Sequence, residues 1–313
     1  MKALASRWFL YGPFIVAGVI LAGYYLLWRS GAALMRESLD DFAAAQKTDG
    51  TIVAYEPLSA RGFPFFLRGA VENFSIARGA DSYRCAKLFI DALPYAPDRI
   101  IFSCGGAQQV AKAGEVWTIN AKDARASVER DQKRGWLAKL ETGAASAFNN
   151  DIEASVSRAI VNLAPSDEGD GRIDASFRIV GLGVTRPASG YAVDRIDAAA
   201  TVLGGADGQT VKIHGLEAVS GQTIVKAEGE IAIPAGENLH GRLNARVEKP
   251  AGLAQTLSDA GLLDANDAKT AQTALAMLTV ASGGALAAPI DFANDEVRLA
   301  GLKIAQLKRT AQP

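Results

Sequence analysis

Two histidines and two cysteines are all that this 313-residue chain offers as strong metal ligands or partners for a nucleophile. Cys85 and Cys104 belong to no Cys-x-x-Cys pair and have no neighbouring histidine, which argues against a zinc site. His214 and His240 fall on the polar side of alternating segments, beside Lys212 and Arg242, so both read as solvent-facing strand positions. No Gly-x-Ser-x-Gly elbow is present, and Gly181-Leu182-Gly183 is followed by neither a third glycine nor a helix, so serine-nucleophile and nucleotide-cradle chemistry are unsupported. The expectation is a protein that is not an enzyme and has no catalytic, cofactor-binding or metal-binding residues. Charge of one sign is lacking as well. The net charge is −1 with Lys/Arg and Asp/Glu interspersed, whereas a nucleic-acid partner needs a clustered basic face.

What is present is first an apolar run. Trp8 to Trp28 carries no charge, and about 20 such residues cover roughly 30 Å of hydrocarbon. Arg7 and Arg29 bracket it, while Trp8, Tyr24, Tyr25 and Trp28 sit where amphipathic rings prefer the headgroup level. No second such run follows. Residues 8–28 therefore read as the contact with a membrane, and 1–28 as a transmembrane anchor with a short cytoplasmic tail. A cleaved signal peptide is the competing reading, since Ser30, Gly31, Ala32 and Ala33 resemble a processing site, although the run exceeds the usual h-region of about 7–15 residues. The tail before the run is wholly basic, and a long trailing domain is translocated largely regardless of its charge, so the body is expected outside the cytoplasm. There Cys85 and Cys104 close a loop of about 20 residues worth roughly 3 kcal/mol, or else remain two buried thiols.

Residues 29–48 predict a juxtamembrane amphipathic helix, with Leu34, Met35, Leu39 and Phe42 on one side, lying on the bilayer or under the body. Asp49-Gly50 ends it. From residue 49 to 313 the period changes to two. Ile173, Ala175, Phe177 and Ile179 alternate with polar residues, as do Val225, Ala227, Ile231 and Ile233, and again Leu239, Leu243, Ala245 and Val247. Further strands are expected at 51–58, 65–77, 117–129, 152–163, 192–203, 210–219 and 296–307. Short turns such as Ser220-Gly221 join them, which predicts a mainly β fold, an antiparallel meander. One helical insertion interrupts it, opened by Pro250, carried by Leu253, Leu257, Leu263, Ala271, Leu275 and Leu278, and closed by Gly283-Gly284. That element either covers one end of a curved sheet or completes its core.

RGFPF at residues 61–65, the cysteine pair, VKIHGLEAVSGQTIVKAEGEIAI, GRLNARV, the Leu/Ala-rich helix and DFANDEVRLAGLKIAQL together resemble the family catalogued as domain of unknown function 2125. The resemblance covers most of the chain. It implies an anchored envelope protein of the Gram-negative inner membrane with its body in the periplasm. Its carboxyl half is similar to AsmA-like proteins, whose curved antiparallel sheets form apolar grooves for phospholipid. On that analogy the apolar set Ile173, Phe177, Val225, Ile231, Leu239, Leu243 and Val247 lines a groove for an acyl chain. Within RGFPF, Gly62 permits a positive φ and Pro64 forces Phe63 away from helical geometry, giving a fixed corner; alternatively Phe63, Phe65 and Phe66 line the mouth of the groove. The implied role is lipid binding or handling in envelope maintenance, against an alternative as a periplasmic scaffold without a lipid ligand.

Overall fold

The anchor run and the amphipathic stretch form one unbroken helix, α1 (Ala3–Thr48). It is long and apolar enough to cross a membrane. Its carboxyl end closes where expected: the Asp49 and Gly50 amides donate back to the Gln46 and Lys47 carbonyls at 3.1 and 3.2 Å. The computed structural model describes residues 3–93, 96–112, 114–167, 171–187, 189–205, 208–234, 238–259, 261, 269, 272–273, 275–277, 285–293, 296–299 and 302–306. Where the sequence suggests one β-rich body over 49–313, the chain packs as two compact units, Met1–Gly106 and Ala107–Pro313.

In the first unit, β1 (Ile52–Ala54) and β2 (Ser59–Arg61) pair with opposite ends of β3 (Leu67–Arg78), which pairs antiparallel with β4 (Asp81–Leu93). β5 (Ala96–Lys112) follows, and the division between the units falls within it. Leu39, Leu58, Val71, Phe74, Cys85 and Ile90 make a closed core, with Met35, Tyr55 and Phe102 packed on it. The helix stripe differs from the expected one. Ala32, Met35 and Leu39 turn inward, while Leu34 and Phe42 are exposed. Residues 32, 35 and 39 recur every three to four positions, whereas Leu34 is turned about 100° from Met35. At the far end of α1 the Tyr55 hydroxyl donates to Asp40 at 2.5 Å, and this bond, with desolvation and the Asp40 charge, pushes the phenol up to about 12.

In the second unit β6 (Glu115–Ala121), β7 (Arg125–Glu129), β8 (Leu137–Thr142), β9 (Ala145–Phe148) and β10 (Glu153–Val156) precede a long meander. It runs through β11 (Arg158–Pro165), β12 (Ile173–Arg186), β13 (Ser189–Gly205), β14 (Gly208–Ser220), β15 (Thr223–Pro234), β16 (His240–Glu248), β17 (Ala285–Ala293), β18 (Glu296–Leu299) and β19 (Leu302–Gln306), each strand antiparallel to the next. The expected strand over 117–129 is two, β6 and β7, and that over 152–163 is also two, β10 and β11. Gly181-Leu182-Gly183 lies inside β12. Pro250 opens a 3-10 turn (Pro250–Gly252) leading into α2 (Leu253–Asp259), which packs against β13. Leu263, Ala271, Leu278, Gly283 and Gly284 of the expected insertion lie outside the described residues.

Candidate functional site

Register turns the alternation into two faces. Directly paired residues share a face, so Ile173, Val202, Val211 and Ile231 form one row across β12 to β15. A second row is Ala175, Ala200, Ile213, Gly229, Leu243 and Ile290. A third is Phe177, Ala198, Leu216, Ala227, Ala245 and Ala288, and a fourth is Ile179, Ile196, Ala218, Val225, Val247 and Leu286. Gly229 is required where it stands: a Cβ there would meet the Arg242 carbonyl oxygen at 2.2 Å. Ile173, Phe177, Val225, Ile231, Leu243 and Val247 therefore do lie on one apolar face; Leu239 is half-buried and precedes β16. Coverage of this face is uneven. Ala227, Leu243, Ala245, Val247 and Ala288 are buried, but Ile173 keeps 36% of its surface, and Phe177, Val225 and Ile231 are only half-buried.

The opposite face carries charge. Arg178 pairs with Asp197; Arg195 bridges Asp197 (2.9 Å) and Glu217; Lys226 lies 3.9 Å from Glu217 and 3.4 Å from Glu248; and Arg246 lies 3.8 Å from Glu248. The diagonal members are needed because register sets Asp197 directly against Glu217, and Lys226 against Arg246. The pattern continues on β8, where the Lys139 ammonium, with Arg125 and Arg158 nearby, holds the Glu141 carboxyl below the usual carboxylate range. Beside this ladder Ser176, Ala199 and Gly215 fall in register, and their small size leaves a depression of about 750 Å³, edged by Asn162, Glu228 and Asn244. Sequence reading missed it. The alternation places these residues opposite the apolar rows, but only register brings the small ones into line.

Both histidines are exposed: Nε2 of His214 lies 2.8 Å from the Thr201 hydroxyl, which donates to Asp174, and Nδ1 of His240 lies 3.4 Å from the Asn238 carbonyl. Among the described residues no three His, Cys, Asp or Glu side chains gather as metal ligands. Cys85 and Cys104 form a disulfide within the first unit's core, their Cα atoms 6.0 Å apart.

The RGFPF segment is a corner docked on α1. Phe63–Pro64 is cis. The Phe63 ring packs on Tyr24, Tyr25 and Trp28, with centroids 5.7, 5.3 and 5.9 Å away. The Tyr24 hydroxyl donates to the Pro64 carbonyl at 2.5 Å, and the Trp28 indole to that of Phe66 at 3.0 Å. Gly62 has φ +103°, and a Cβ there would meet the Phe66 ring at 2.6 Å, so only glycine fits. The Arg68 guanidinium lies 5.4 Å from the Phe66 ring centre while pairing with Asp91 at 2.6 Å. Phe65 stands out, 79% exposed. Phe63, Phe65 and Phe66 thus belong to the first unit and the apolar rows to the second.

Fold and faces define an antiparallel β protein led by a helix able to span a membrane. The chain belongs to the bacterial family described as "Uncharacterized protein conserved in bacteria (DUF2125)", whose model matches residues 28–308. No curated protein and no solved structure matches the chain significantly.

Proposed function

We propose that this is a non-enzymatic envelope protein, held by α1 in the inner membrane of a Gram-negative bacterium, whose second unit handles lipid acyl chains on the apolar face of β12–β17 in the periplasm. The observation that carries this reading is the extent of the four apolar rows together with their incomplete burial. An acyl chain laid on such a face gains about 25 cal/mol per Å² of apolar area and asks for few polar contacts. Retention of the anchor is supported by packing around the suggested processing site: Ala32 is 2% exposed, and the body docks on α1 both before it, at Tyr24 and Trp28, and after it, at Leu39. The disulfide supports an oxidising compartment. A second reading, a scaffold for other envelope proteins, is favoured by the charged ladder and its depression.

The test is photo-crosslinking of the full-length protein in native membranes with a phospholipid carrying a diazirine on its acyl chain. Adducts are expected on peptides of β12 and β15 as well as on α1. Ile173→Glu, at a half-open position, should remove the strand adducts and leave those on α1. Leu243 suits the purpose less, because it is buried and a charge there would disrupt the sheet itself. Adducts confined to α1 would sink the lipid reading in favour of the scaffold.

A further inference from the structure

We infer that the RGFPF corner is a second membrane contact, a wedge seated in the headgroup boundary of the bilayer with Phe65 entering the lipid. The inference rests on the reading that α1 spans the membrane, and it follows from the level at which the corner docks. A helix rises 1.5 Å per residue, so the charge-free run from Trp8 to Trp28 measures about 30 Å, the thickness of a hydrocarbon core. Tyr24 and Trp28, which hold the Pro64 and Phe66 carbonyls, are the last turn of that run. The corner therefore lies beside the final turn of the span, where Leu26 and Leu27 are themselves exposed.

Its backbone is prepared for such a place. Non-helical chain tolerates a low-dielectric boundary only when its polar groups are paired. Here the Phe65 and Phe66 amides both donate to the Gly62 carbonyl, at 3.0 and 3.1 Å, Pro64 has no N–H, and the Pro64 and Phe66 carbonyls take their hydrogen bonds from α1. The side chains divide in the same way. Phe63 stacks on the helix aromatics, whereas Phe65 is left 79% exposed. Arg29, next to Trp28 on α1, and Arg61, the first residue of the corner, are both exposed and have the reach to put their charges among headgroup phosphates while their stems stay apolar. An exposed ring on a hydrogen-bonded corner, level with an aromatic belt and edged by arginines, has the chemistry of an interfacial anchor.

The experiment reads depth. Single cysteines are introduced into the full-length protein as Phe65→Cys, Ile20→Cys and Asp49→Cys, labelled with an environment-sensitive fluorophore, and reconstituted in vesicles of phosphatidylcholine and phosphatidylglycerol. Some vesicles carry a nitroxide high on the acyl chain and others at its end; the native cysteines are held as a disulfide. Phe65 is exposed enough for its replacement to leave the fold intact, which far-ultraviolet circular dichroism checks. A probe at residue 65 is expected to shift to the blue and to lose intensity with the shallow nitroxide more than with the deep one. A probe at residue 20 should lose most with the deep one, and a probe at residue 49, about 30 Å beyond Trp28 along the helix axis, should lose little with either. If residue 20 is quenched and residue 65 behaves like residue 49, the wedge is overturned while the span stands. If residue 20 also goes unquenched, the span itself fails and the wedge with it.

Discussion

The two units bury apolar surface by different means. In the first, a helix and a disulfide close over the strands, so that Val71 is 0% and Cys85 1% exposed. In the second, the meander is organised by register: four apolar rows on one face, a charged ladder on the other, and full burial concentrated around Ala227, Leu243 and Ala245. The difference teaches that one alternating pattern supports two outcomes. A sheet face sealed by another element is a core, and a face left half-open is a surface with capacity.

The largest expected effect tests the sealed side. Phe74→Ala should destabilise the first unit by about 3–5 kcal/mol, the range for removing a buried aromatic ring, while Phe177→Ala in the second should cost clearly less because the ring is half-buried. Hydrogen exchange followed by mass spectrometry, comparing β3–β4 peptides with β12–β13 peptides, separates the two. Equal losses would break the comparison.

Next in size is the covalent link. Replacing Cys85 and Cys104 by alanine opens a loop closed over 19 residues, for an expected loss of about 3 kcal/mol in the chain-entropy picture. That loss should appear in the exchange of β3 and β4 and leave β14–β16 unmoved. Spread across both units, it would show that they do not unfold separately.

The smallest effect belongs to the ladder. Arg195→Met leaves Asp197 facing Glu217 without its bridge, and should cost about 0.5–1 kcal/mol, less as salt is raised. Urea unfolding at low and high ionic strength reads it. Insensitivity to salt would mean that the ladder shapes register without adding stability.

Much of this was legible in the residues. Periodicity of two located β12 to β16, because a sheet with one apolar face must alternate, and the charge-free run located the stretch of α1 that is long and apolar enough to cross a membrane. The family resemblance held for residues 28–308, while the likeness to AsmA-like proteins is an expectation of the sequence alone. Other features lay beyond the pattern. β4 carries a mixed face, since Cys85 and Ile90 both join a core that the helix closes, and its alternation is blurred. The division within β5 falls at the Gly105-Gly106 pair, but the strand runs straight through it, so the glycines alone do not read as a boundary. The depression beside Ser176, Ala199 and Gly215 needed strand pairing to appear.

Because α1 passes from the charge-free apolar run into the folded body without a linker, the body is keyed to the helix as a gear is keyed to a shaft. Each residue of helix carries about 100° of rotation with its rise. Trp28 on the corner and Ala32, Met35 and Leu39 in the core lie along one helical stripe, so the azimuth at which the first unit sits around the helix axis is written in residue count. Length between Trp28 and Ala32 is therefore an angular quantity. One added residue would turn the corner's seat about a quarter of a revolution away from the core's, and the two could no longer be occupied together.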